Sequence, residues 1–159
     1  FDGGLSQLLH GDGHGHFAAV PPVTSNLIVS GDAKALAVLD LDGDGWPDFF
    51  VTRNNDTTLA FRNGGVAGRH SLCVRLRGPA GNPTGIGARV TLELKNGSTH
   101  VSEIYAGSGY FSQSAAACFF GWSDDNPPAK VRVMWPSGTS TEHPVPPGSS
   151  VLTLSLHEP

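Results

Sequence analysis

The chain has 159 residues, a formal charge of −4, 38% hydrophobic and 15% charged residues, which supplies a core for one domain or two small ones packed together. The acidic balance offers no basic patch for nucleic acid, and no run of about eighteen apolar residues exists to span a membrane. Gly 21 and Pro 12 exclude a mainly helical protein and point to many short strands joined by turns.

Residues 1–4 carry no signal peptide and read as a chain entered midway. The first predicted strand covers residues 5–9, and Phe17-Ala18-Ala19-Val20 begins the second. The glycine-rich turn at 10–16 joins them into a hairpin. His10, His14 and His16 within that turn are candidate transition-metal ligands, but the pattern reads better as polar loop positions of a G-D-G-x-G turn. Residues 21–32 follow as a loop with one apolar run, Leu27-Ile28-Val29.

The most informative stretch is Asp40-Leu41-Asp42-Gly43-Asp44-Gly45-Trp46-Pro47-Asp48. Carboxylates packed this closely repel one another and raise one another's pKa values unless a cation lies among them. Calcium suits the pattern, since it takes six to eight oxygens and tolerates irregular geometry. Asp40, Asp42, Asp44 and Asp48 are the predicted side-chain ligands, with the backbone carbonyl of Trp46 as a fifth. Gly45 permits the sharp turn. An EF-hand needs a bidentate Glu at position twelve and flanking helices, whereas Val51 stands there and the flanks are short runs of strand formers. The expectation is a strand–loop–strand calcium site.

A turn at 54–57 leads into a further strand at 59–63. Asn55-Asp56-Thr57 and Asn96-Gly97-Ser98 are glycosylation sequons on predicted loops. Residues 64–70 are the candidate boundary, dividing the chain into units at 1–64 and 65–159. Beyond it the period-two alternation sharpens. Leu72, Val74 and Leu76 share one strand face while Arg75 and Arg77 take the other. Val90, Leu92 and Leu94 repeat the pattern, and Asn96-Gly97 closes a hairpin into 101–105. Val131, Val133 and Trp135 alternate again, and the last strand covers 151–156. The predicted fold is all-β: an antiparallel, Ig-like sandwich preceded by a small β unit that carries the calcium loop. Cys73 and Cys118 fall within strands, which leaves a disulfide and two buried thiols as open alternatives.

Two patterns carry a family resemblance. Leu9-His10-Gly11-Asp12-Gly13-His14-Gly15-His16-Phe17, followed by the loop from Asp40 to Asp48, resembles one FG-GAP or VCBS-type repeat, the unit of integrin alpha-subunit propeller blades. Three segments, 82–90, 107–114 and 131–138, resemble the ASPIC/UnbV domain, which follows FG-GAP repeats in secreted bacterial proteins and cartilage acidic protein-like chains. Phe119-Phe120-Gly121-Trp122 departs from the F-G-L-G usual in that family. The resemblance implies calcium binding and an extracellular location, and brings no defined enzymatic activity.

The residues agree with a non-enzymatic expectation: the chain has no G-x-S-x-G elbow, no metalloprotease motif and no carboxylate pair outside the acidic loop, Asp124-Asp125 reading as a turn. Arg89, Glu103, Tyr110 and Gln113 are read as sandwich packing rather than a pocket. A single blade cannot close a propeller and leaves strand edges open. The expected role is therefore a calcium-binding extracellular structural or adhesion module, a homo-oligomer or filament formed by strand addition through a free segment at residues 1–9. The alternative is a recognition domain for a carbohydrate or protein at the end of a larger secreted propeller protein, with Trp46 and Trp122 on exposed loops.

Overall fold

The computed structural model describes residues 4–156. In chain order the elements are β1 (Leu8–Gly11), β2 (Phe17–Val20), α1 (Pro22–Ser25), β3 (Ala33–Leu39), β4 (Asp48–Arg53) and β5 (Asp56–Phe61). They continue with β6 (Arg69–Arg77), β7 (Arg89–Leu94), β8 (Thr99–Glu103), β9 (Ala117–Ser123), β10 (Pro128–Met134), β11 (Ser140–Pro144) and β12 (Val151–Ser155). The strands form a β1-β2 hairpin, a β3-β4-β5 sheet, a β12-β6-β9 sheet and a β11-β10-β7-β8 sheet. Every pairing is antiparallel except β12 with β6, which is parallel.

The last two sheets enclose the core, as the alternation dictates. Leu72, Val74 and Leu76 of β6 meet Val90, Leu92 and Leu94 of β7 and Val131 and Val133 of β10, with Phe120 of β9 and Trp135 among them. Each of these side chains is buried. Fully burying a Val, Leu or Phe side chain contributes about 1.5–3 kcal/mol, so this layer supplies most of the driving force for folding. The Trp135 indole N–H donates to Thr141 Oγ1 at 3.0 Å, which lets its ring lie in the core without an orphan donor.

The same alternation decides the cysteines. Val74 of β6 pairs with Cys118 of β9, so Cys118 points into the sandwich beside Val74 while Cys73, one residue earlier, points to the opposite face. Both thiols are free and buried.

Several boundaries differ from the sequence reading. The first strand begins at Leu8 rather than Leu5, the fifth ends at Phe61, and β8 runs from Thr99 to Glu103. The 21–32 stretch contains a single helical turn, started by Pro22 and ended by Asn26 in the left-handed region with φ 53. The polar strand β11 has no apolar alternation to reveal it; it exists because it pairs with β10 from Lys130–Pro144 to Met134–Ser140. Trp122, expected on a loop, lies within β9. Of the segment 1–9 expected to be free, Phe1, Asp2 and Gly3 lie outside the described residues, and Leu8 and Leu9 already pair with Val20 and Ala19.

The β3-β4-β5 sheet is tied to the sandwich by the backbone and by charge. Ala115 N–H donates to the Val38 carbonyl at 2.8 Å, Val38 N–H to Ser114 Oγ at 3.0 Å, and Arg75 reaches Asp40.

Candidate metal centre

The acidic loop is the connection between β3 and β4. Leu39 pairs with Asp48 at the mouth of the ladder, which brings the two ends of the loop together. Gly43 and Gly45 turn the chain between them with φ values of 79 and 88, a region open to glycine at no steric cost. Val51, at the position where an EF-hand requires its Glu, is buried in β4.

The loop gathers Asp40, Asp42 and Asp48, each offering a carboxylate oxygen within 4.8 Å of the others. Asp48 is 1% exposed and is held from two sides, its Oδ2 accepting from Leu41 N–H at 2.8 Å and its Oδ1 from Asn63 N–H at 2.7 Å. Asp40 Oδ1 accepts from Gly43 N–H at 2.9 Å, and its Oδ2 lies 3.1 Å from Arg75 Nη2 of β6. Asp42 Oδ1 accepts from Asp44 N–H at 3.3 Å and Asp44 Oδ1 from Trp46 N–H at 2.8 Å. These successive turns curl the backbone so that carboxylates converge on one side.

Arg62, just beyond β5, supplies the balancing charge. Its Nε donates to Asp42 Oδ2 and its Nη2 lies 3.5 Å from Asp44 Oδ2. The guanidinium holds the Asp42 carboxyl below its ordinary range, against a smaller opposing effect of desolvation. Asp44 thus faces Arg62 and is not one of the three converging carboxylates. Oxygen-only donors in a flexible, anionic cluster suit a hard divalent cation such as calcium, and the residues present fit that ion. Asp40, Asp42 and Asp48 would hold it, and Asp44 would join on exchanging its Arg62 partner for the ion.

Trp46 leaves the loop with its indole against the backbone of Gly65, where an added Cβ would come within 3.0 Å of the ring. Gly45 abuts Ser150, ahead of β12, where a Cβ would fall 2.2 Å from the carbonyl oxygen. Ser150 in turn accepts from Cys73 N–H at 2.8 Å. The loop therefore rests on the sandwich.

The histidine turn at 10–16 is organised by Asp12. Its Oδ1 accepts from His14 N–H at 2.7 Å and His16 N–H at 3.2 Å, and its Oδ2 lies 3.0 Å from His16 Nδ1. Among the described residues, the group of three potential metal ligands that lies close enough together is the aspartate one, and no histidine belongs to it. Arg89 and Glu103 are cross-strand partners of β7 and β8 at 3.6 Å. Tyr110 meets Phe111 edge-on with ring centroids 4.4 Å apart, and Gln113 is exposed nearby in sequence. Sequence reasoning missed Arg62, Asn63 and Arg75 as parts of the acidic site. Only Arg75 left a trace, as a cation on the face of β6 that turns away from the core.

The family model for ASPIC and UnbV matches residues 78–158, and that for an FG-GAP-like repeat matches residues 2–51. The second match spans the hairpin, the acidic loop and the start of β4, and the first spans most of the sandwich. A search of curated proteins finds no match. The chain belongs to the ASPIC and UnbV family, with an FG-GAP-like repeat preceding that domain.

Proposed function

We propose that the protein is a non-enzymatic, calcium-binding extracellular module, with a calcium unit at 1–64 packed on a sandwich at 65–159. The observation that carries this reading is the convergence of Asp40, Asp42 and Asp48 within 4.8 Å, in a repeat of a kind that generally binds calcium and is typical of extracellular or surface proteins. The Trp46 carbonyl completes the ligand set. No described helix is long and apolar enough to cross a membrane. Calcium at a hundredfold above its dissociation constant stabilises the folded state by about 2.7 kcal/mol, so EGTA lowers the melting temperature. Isothermal titration showing no calcium uptake by the intact chain, and no change of melting temperature with EGTA, sinks the reading.

The structural role follows from what remains uncovered. β3 and β5 are the outer strands of their sheet, β3 being covered at Val38 by Ser114 and Ala115, and Leu8, Leu9 and Phe17 of the hairpin are exposed. Open edges and apolar side chains of this kind are filled by strand addition from a neighbouring copy, which builds a filament or surface layer serving adhesion. Because Leu8 and Leu9 already pair with β2, donation of that segment requires the hairpin to open. Static light scattering across concentration tests assembly, and a monomer at every concentration with calcium present counts against it.

A further inference from the structure

Trp122 of β9 lines two cavities on the sandwich. The first, of about 440 Å³, is built from Trp46 of the acidic loop, His70 of β6, His100 of β8, Trp122 and Asn126. The second, of about 310 Å³, sets Trp122 against Pro127, Pro128, Pro146 and Pro147. The β3–β4 loop, resting on the sandwich, contributes Trp46 to the first cavity.

Its walls combine flat aromatic surface with planar polar groups. His70 stacks on Trp122 with ring centroids 4.0 Å apart and an angle of 20° between planes. Asp124 Oδ1 fixes that imidazole, 2.5 Å from Nε2. Asn126 Oδ1 accepts from Asn96 N–H at 3.0 Å, which leaves its amide N–H groups as donors. His100 is exposed on β8. At the rim the His70 ring lies against Asp124, and Arg69 also lines the cleft. The indole Nε1 of Trp122 is buried and has no hydrogen-bond acceptor among the described residues.

We propose that this cleft binds a neutral saccharide. A pyranose ring presents an apolar C–H face, which suits the indole walls, and a rim of hydroxyls, which suits imidazole and amide groups. The cavity of about 440 Å³ accommodates one or two sugar rings, and the proline-walled cavity across Trp122 extends the surface for a longer chain.

The test uses the intact chain in calcium-containing buffer and saturation-transfer NMR. The probes are methyl glucoside, methyl galactoside, methyl mannoside, N-acetylglucosamine, cellobiose and chitobiose, with glucuronate and an uncharged tetrapeptide as contrasts. The expected result is transfer to the ring C–H protons of at least one neutral sugar. Its affinity falls about tenfold or more in Trp122→Ala, and measurably in His100→Ala, an exposed position whose substitution leaves the core intact. Transfer from no neutral sugar overturns the proposal, as does saturable binding of glucuronate or the tetrapeptide alone. Binding unchanged in a folded His100→Ala and a folded Trp122→Leu variant overturns it equally.

Discussion

Arg75 on β6 holds the buried side of Asp40. Its Nη2 lies 3.1 Å from Asp40 Oδ2, and the Asp40 side chain is 0% exposed while that of Arg75 is 45% exposed. An acidic side chain of the FG-GAP-like repeat, one of the proposed calcium ligands, is therefore positioned by a residue of the following sandwich. Replacing Arg75 by Gln removes a charged hydrogen bond to a shielded carboxylate and destabilises the metal-free protein by about 1–3 kcal/mol. Calcium supplies positive charge at the same carboxylate, so the deficit shrinks when the ion is present. Urea denaturation of both forms in EGTA and in excess calcium checks the difference.

Arg62 occupies carboxylates that the proposed cation would need. Its guanidinium lies on Asp42 and Asp44, the two exposed sides of the loop. Arg62→Gln frees both carboxylates, and calcium binds about two- to fivefold more tightly, the scale expected when an exposed ion pair no longer has to be broken. Isothermal titration gives the ratio directly, and weaker binding in the variant would mean that Arg62 orders the loop rather than obstructs it.

Gly45 joins the loop to the sandwich. With φ +88 and a Cβ position 2.2 Å from the Ser150 carbonyl oxygen, Gly45→Ala must displace the backbone before β12. The expected loss is at least about 2 kcal/mol. Gly13→Ala serves as the contrast, since φ there is +78 and nothing lies within 4 Å, and it loses about 1 kcal/mol or less. Thermal melts of the two variants separate contact from backbone strain.

Acid weakens the fold through exposed carboxylates. Arg62 holds Asp42, Lys34 holds Asp32, and Arg132 followed by Lys130 holds Glu142 below their ordinary values of 3.8, 3.8 and 4.5. A depressed carboxylate contributes stability that is fully present above its ordinary value and is lost as pH falls through the folded one. Their contribution is thus unchanged from pH 7 to about pH 5 and declines below about pH 4. Urea midpoints of the metal-free protein measured across that range report the decline.

The thiols stay unreactive until the protein unfolds. Burial pushes the Cys73 and Cys118 thiols above their ordinary range, and they sit on opposite faces of the β12-β6-β9 sheet. A thiol reagent at neutral pH labels neither at an appreciable rate in the native state and both in denaturant. Native mass is unchanged by reductant, whereas a difference of two hydrogens would reveal a bridge.

The sequence by itself determined the composition of each layer. Alternation placed Leu72, Val74, Leu76, Val90, Leu92, Leu94, Val131 and Val133 inward, because side chains on a strand change face at every residue. The spacing of Asp40, Asp42 and Asp48 likewise carried their convergence, since a short loop between paired strands leaves little freedom. Other features depend on partners far along the chain. The polar strand β11 and the parallel pairing of β12 with β6 arise from neighbours and leave no local pattern. The cysteines were undecided until the Val74–Cys118 register separated their faces. Arg62 and Arg75 became part of the acidic site only when the chain folded back on itself, because Coulomb attraction depends on distance through space and sequence records only distance along the backbone.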